Sequence, residues 1–149
     1  MNATLMSTSL SYRMVLTNTG LRTISQLTIS GSMVGAHVSQ PMEQQLGIDG
    51  QALELLHEAA MLEPGQSLEY SGELRLPLTA ITPIHSGNAV LFIPLARFRA
   101  QCESGGTHAA FVVGETPPVA AAALLPFRLD LGPRIWTRVS ARRLDPPAA

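Results

Sequence analysis

Lysine is absent from this 149-residue chain, so all ten basic residues are arginine. A high-GC coding bias explains that usage more simply than selection for guanidinium recognition, because the ten are scattered. With eleven acidic residues the formal net charge is −1. That balance supplies neither the basic footprint of a nucleic-acid binder nor an acidic tail. Cys102 is the only cysteine, which excludes an intramolecular disulfide framework. It settles no compartment, since one thiol suits the cytoplasm as well as a periplasmic domain whose core needs no staple.

Long apolar runs are missing too. No window of about 18 apolar residues exists, so no transmembrane helix is expected. "MNATLMSTSLSYR" at the start lacks a charged beginning followed by an apolar core, so it does not read as a signal peptide. The chain enters strand register almost at once, and the expectation is a piece of a longer protein. Aromatics are scarce, and Trp136 is the only tryptophan. Sugar-binding modules normally display several exposed aromatics. Trp136, in "PRIWTRV", therefore reads as a core or rim anchor.

What is present alternates. In "SLSYRMVLTNTG", Leu10, Tyr12, Met14 and Leu16 fall on one side of a period-two pattern and Ser11, Arg13 and Thr17 on the other. Such a pattern marks a half-buried strand. Asn18-Thr19-Gly20 then reads as a turn, since Asn and Gly tolerate positive φ. "RTISQLTISGSMV" follows as a second strand with Leu27 and Ile29 inward. Pro64-Gly65 has the residue types of a type II turn. After it Leu68, Tyr70, Gly72, Leu74 and Leu76 alternate with Ser67, Glu69, Ser71, Glu73 and Arg75, the cleanest amphipathic strand in the chain.

Between these strands the period changes. "MEQQLGIDGQALELLHEAAML" places Leu53, Leu56, Ala60 and Met61 on one helical stripe with Glu54 and Glu58 outward. A short helical insertion over about residues 43–62, capped by Asp49, is the expectation. Farther on, "GNAVLFIPLARFRAQCE" is the longest strand candidate, and Pro94 within it argues for an edge position or a bulge. A hairpin loop at Glu103 to Thr107 leads back through "HAAFVVG". "ETPPVAAAA" is a connector, a short strand follows in "LLPFRLDL", and the last strand runs from Ile135 to about Leu144. Seven or so short strands predict one immunoglobulin-like, two-sheet antiparallel β-sandwich over residues 1–144, with a disordered tail at 145–149.

Chemistry is harder to find. His37, His57, His85 and His108 lie in four different segments without metal-ligand spacing, so no metal is expected. Gly-x-Ser-x-Gly, Walker and dinucleotide-binding sequences are absent, and no cofactor is expected. Glu69 and Glu73 share the polar face of one strand, which reads as a solvated face rather than a carboxylate pair for glycoside chemistry. "SGSMVG" reads as a strand end and Ser104 as a hairpin tip. Cys102, with no histidine or basic cluster to lower its pKa, reads as a small strand residue. No catalytic residue is assigned.

Two surfaces remain as candidates. Arg97, Arg99, Arg138 and Arg142 would form a positive strip if their strands were neighbours on one face, suited to acidic lipid headgroups, polysaccharide or a protein partner. The "FIPLARFRAQC"–"HAAFVVG" hairpin, with Phe92, Pro94, Phe98 and Phe111, is the candidate edge for strand addition to a protein partner.

"YRMVLTNTG … LTISG" and "LEPGQSLEYSGELRLP" resemble bacterial surface and envelope domains of immunoglobulin-like type. The wider order, with "FIPLARFRAQCESGGTHAAFVVG" and "PFRLDLGPRIWTRVSARRL", is similar to alphaproteobacterial envelope proteins of uncharacterised role. The resemblance implies a non-enzymatic domain beside a membrane-anchoring segment that this chain does not contain. It also implies a location in the cell envelope, on the periplasmic or extracytoplasmic side, although a cytoplasmic one stays open. The expected partner is a protein, a second copy included, with no nucleic acid. The alternative is a module for polysaccharide or anionic headgroups using the arginine strip.

Overall fold

The computed structural model describes residues 1–37 and 53–144. The described residues form an antiparallel β-sandwich. Its strands are β1 (Asn2–Ala3), β2 (Ser7–Thr17), β3 (Ile24–Gly35), β4 (Glu54–Leu62), β5 (Ser67–Pro77), β6 (Ile84–Ser86) and β7 (Ala89–Phe92). They continue with β8 (Pro94–Cys102), β9 (Gly105–Glu115), β10 (Phe127–Arg128), β11 (Arg134–Ile135) and β12 (Val139–Leu144). Seven of them, β2, β3, β4, β5, β8, β9 and β12, are six residues or longer. One sheet has the order β11-β1-β2-β5, the opposing one β12-β9-β8-β3-β4, and a small third sheet β10-β7-β6.

Alternation in the sequence becomes burial in the structure. Along β2, Leu10 is buried and Tyr12, Met14 and Leu16 are half-buried, while Ser11, Arg13, Val15 and Thr17 are exposed. β5 runs antiparallel to it from Ser67↔Thr17 to Pro77↔Ser7, with Leu74 buried and Leu68, Tyr70 and Leu76 half-buried. Leu27, Ile29 and Met33 of β3 face them from the other sheet. One core cluster joins all three sheets through Leu10, Met33, Leu74, Phe92, Val113, Phe127 and Trp136.

The two stretches "LTNTG" and "LEPGQ" meet. Asn18 N donates to Gln66 O at 3.0 Å, and Gly65 N donates to Asn18 O at 2.8 Å, extending the β2–β5 ladder past Thr17. Pro64-Gly65 is a type II turn, with Gly65 at φ 79° and Gln66 N donating to Glu63 O at 2.9 Å. Neither Asn18 nor Gly20 adopts positive φ. The first turn is built instead by the Asn18 side chain, whose Oδ1 accepts from Gly20 N at 3.0 Å. Its Nδ2 donates to Arg22 O at 2.7 Å and Leu62 O at 3.0 Å.

Residues 53–62 correct the helical expectation, since Glu54–Leu62 is strand β4 along the edge of β3. The part of the expected helix over 43–52 lies outside the described residues, as does the expected tail at 145–149. β4 disguised its period by a bulge. Ile29 pairs His57 but Ser30 pairs Leu55, so Leu56 is the extra residue. Leu56 and His57 are both half-buried as a result, and the pattern mimics a helical stripe. Pairing along an otherwise open β3 edge then outweighs local helix preference.

Pro94 is likewise not at an edge. It opens β8, which lies between β9 and β3. Its function is to switch sheets: Phe92 ends β7 in the small sheet, and Pro94 pairs Gly35 in the large one. The first position of a strand tolerates a residue without N–H.

In the small sheet Asp130 clamps β10 to β7. Its carboxylate accepts from Arg128 at 2.6 Å and 3.2 Å and from Val90 N at 3.1 Å. Hydrogen bonding to Arg128 first, and to Val90 N second, lowers its pKa from 3.8 to about 2. A folded-state pKa below the unfolded value adds stability above the unfolded pKa that is lost as pH falls through the folded one. Thermal melts should therefore show wild type losing stability between pH 4 and pH 2, with Asp130→Asn less steep over that window. Parallel slopes for the two proteins would contradict the clamp.

Candidate binding groove

Between the two large sheets the sandwich is open along one side. β5 lies against β3 and β4. β2, by contrast, faces β8, β9 and β12 across a groove of about 1310 Å³. Its walls are Met14 and Leu16 from β2, inner-face positions that the alternation specified, with Phe98 and Ala100 from β8, Phe111 from β9 and Val139 from β12. The buried Leu10 and Val113 of the core also line it.

Tyr12 and Phe98 of the lining belong to an aromatic cluster. The Tyr12 hydroxyl shares a 2.7 Å hydrogen bond with His57 Nε2, and the Tyr12 ring packs edge-on to Phe98 at 5.2 Å. His57 stacks on Tyr70 at 4.5 Å. Gly72 makes this possible. It pairs directly opposite Tyr12, and a Cβ there would lie 2.7 Å from the Tyr12 hydroxyl. Burial raises the Tyr12 pKa, so the phenol stays protonated and serves as a hydrogen-bonding group.

The rim is polar and positive. Arg13, Arg99, Arg143 and His108 border the groove, and no Asp or Glu is among its described lining residues. Arg13 is neutralised by Glu69 through bonds of 2.6 Å and 3.0 Å. Arg143 makes no ion pair among the described residues. At the upper end the Cys102 thiol lies 3.2 Å from Ser104 Oγ, and that hydrogen bond lowers its pKa.

Of the residues singled out from sequence, Phe98 and Phe111 do meet, ring to ring at 6.3 Å, inside the groove. Phe92 and Pro94 do not join them. Both are buried, and Phe92 belongs to the core beneath. The hairpin is therefore wall rather than edge. The arginine strip does not assemble either, because β9 separates β8 from β12. Arg97 is buried, with one guanidinium nitrogen donating to Ser32 Oγ at 2.6 Å. Arg142 donates to Ala120 O, at 3.1 Å, and to Ala122 O in the connector. Arg138 is exposed just before β12 and Arg99 is half-buried.

No known protein family, curated protein or solved structure matches this chain. The groove must be read from its own chemistry. Among the described residues no group of three or more His, Cys, Asp or Glu is placed to hold a metal ion, and no helix is long and apolar enough to cross a membrane. Sequence reasoning missed the Tyr12–His57–Tyr70 cluster because His57 was placed in a helix. The signal available was Tyr12 and Tyr70 at inward positions of two alternating strands.

Proposed function

We infer that this domain is a non-enzymatic interaction module of an envelope protein, and that it holds a protein partner in the groove between its sheets. The observation that carries the reading is the open side of the sandwich, where Met14 and Leu16 of the inner face of β2 stand half-buried along the groove. Exposed apolar surface rimmed by polar groups marks interaction sites. The envelope location rests on the resemblance carried by "YRMVLTNTG" and "LEPGQSLEYSGELRLP".

Crosslinking pull-downs from the source organism's membrane fraction, with residues 1–149 as bait, test this. One dominant protein, retained at moderate salt and lost with Met14→Glu bait, is expected. Retention of lipid or glycan alone, released as salt rises, would replace this reading with headgroup binding, since such contacts screen steeply.

A further inference from the structure

Among the described residues, the groove is flanked by a strand edge that no other strand pairs. β1 pairs β2 only at Asn2↔Ser9 and Ala3↔Thr8. Beyond that, β2 continues from Ser11 to Thr17, paired to β5 on one side and, among the described residues, to no strand on the other. In an antiparallel ladder, alternate residues aim N–H and C=O away from the existing partner. The open edge thus presents a row of donors and acceptors directly beside an apolar channel.

We propose that this slot accepts one extended strand from a partner protein, antiparallel to β2 and in line with β1. The inference rests on the contact-module reading and specifies its partner. Three features select a strand over an acyl chain or a second copy docked face to face. The free edge of β2 needs backbone hydrogen bonds, which a lipid cannot supply. The β1 pairing already fixes direction and register for a seven-residue continuation opposite Ser11 to Thr17. The described lining residues also include Arg143 and His108 and no carboxylate, which suits an incoming segment with acidic residues at its flank. Every second residue of that segment, those opposite Tyr12, Met14 and Leu16, faces the groove and is apolar; the intervening ones face solvent.

Register makes the proposal testable in cis. A Thr-Val-Thr-Val-Thr-Val-Thr extension placed directly before Met1 continues β1, with its valines opposite Tyr12, Met14 and Leu16. Shifting the pattern by one residue turns every valine outward. The in-phase extension should raise Tm by about 5 °C. It should also slow hydrogen exchange at alternate amides of Ser11 to Thr17, whereas the out-of-phase extension should do neither. In trans, the peptide Glu-Thr-Val-Thr-Val-Thr-Val-Thr-Glu should protect the same amides of the unextended protein and bind about tenfold more weakly to Met14→Glu.

Equal effects from both extensions, or no protection of β2 amides, would overturn the strand slot. If a protein partner is nevertheless captured through the groove, the contact-module reading survives that failure. Uptake of dodecanoate with no peptide binding and no protein captured would overturn both. Dimerisation of the unextended protein through the same amides would assign the slot to a second copy.

Discussion

Phe127→Ala is expected to cost about 3–5 kcal/mol, the largest loss from any single truncation in this domain. Phe127 is 0 % exposed. It pairs with Phe92 across the small sheet and meets the Trp136 ring edge-on at 4.9 Å. Those contacts tie the small sheet to the core, and Trp136 in turn hydrogen-bonds Met1 O through its backbone N at 2.8 Å. Truncation removes the transfer free energy of the ring and leaves a cavity that two aromatic neighbours cannot fill. Since domains of this kind are stable by roughly 5–15 kcal/mol, the variant would lose a large share of its margin. Urea unfolding followed by Trp136 fluorescence should show a lower midpoint with an unchanged slope. Phe127→Leu, which keeps most of the volume, should cost under about 1.5 kcal/mol. A loss below 1 kcal/mol for Phe127→Ala would mean that the small sheet does not hold the core.

Asn18→Ala is expected to cost about 3 kcal/mol, much more than a turn residue ordinarily carries. Asn18 is 3 % exposed and satisfies three backbone groups at once, Gly20 N, Arg22 O and Leu62 O. An alanine leaves all three without this partner; the bond to Leu62 O is buried, and an unmet buried group costs about 1–3 kcal/mol. Asn18→Asp separates the bonds. Its carboxylate still accepts from Gly20 N but aims negative charge at two carbonyl oxygens. That environment raises the aspartate pKa above its unfolded value, so the variant should recover stability as pH falls through the raised pKa. Denaturation midpoints of the three proteins at pH 7 and pH 4 decide the matter. If Asn18→Gly were as stable as wild type, backbone freedom rather than side-chain bonding would explain the turn.

The contrast between these two residues shows how far local sequence reaches. Phe127 sits in "LLPFRLDL", which reads as one short strand among several, and nothing nearby marks it as the best-buried aromatic in the chain. Asn18 was visible as a turn residue, but its reason was mistaken. Positive φ was the obvious account of Asn-Thr-Gly, and the structure uses the amide side chain to reach across to β4. Partners 44 positions apart cannot be read from a turn motif.

Local alternation determined which face of β2 and β5 looks inward, because side chains on a strand change sides at every residue. The Pro64-Gly65 turn and the β8–β9 hairpin were equally legible, since turn geometry depends on the residues within the turn. A mostly β, sandwich-like fold followed from these alone. Strand order did not. β9 falls between the arginines of β8 and β12, Pro94 opens an interior strand, and a bulge at Leu56 turns a helical-looking stretch into the edge of a sheet. The groove itself is the clearest case. The apolar face of β2 was written in the period-two pattern, but which strands stand across from it, β8, β9 and β12, was not. Which strand faces which is decided by long-range pairing, which only the tertiary structure brings together.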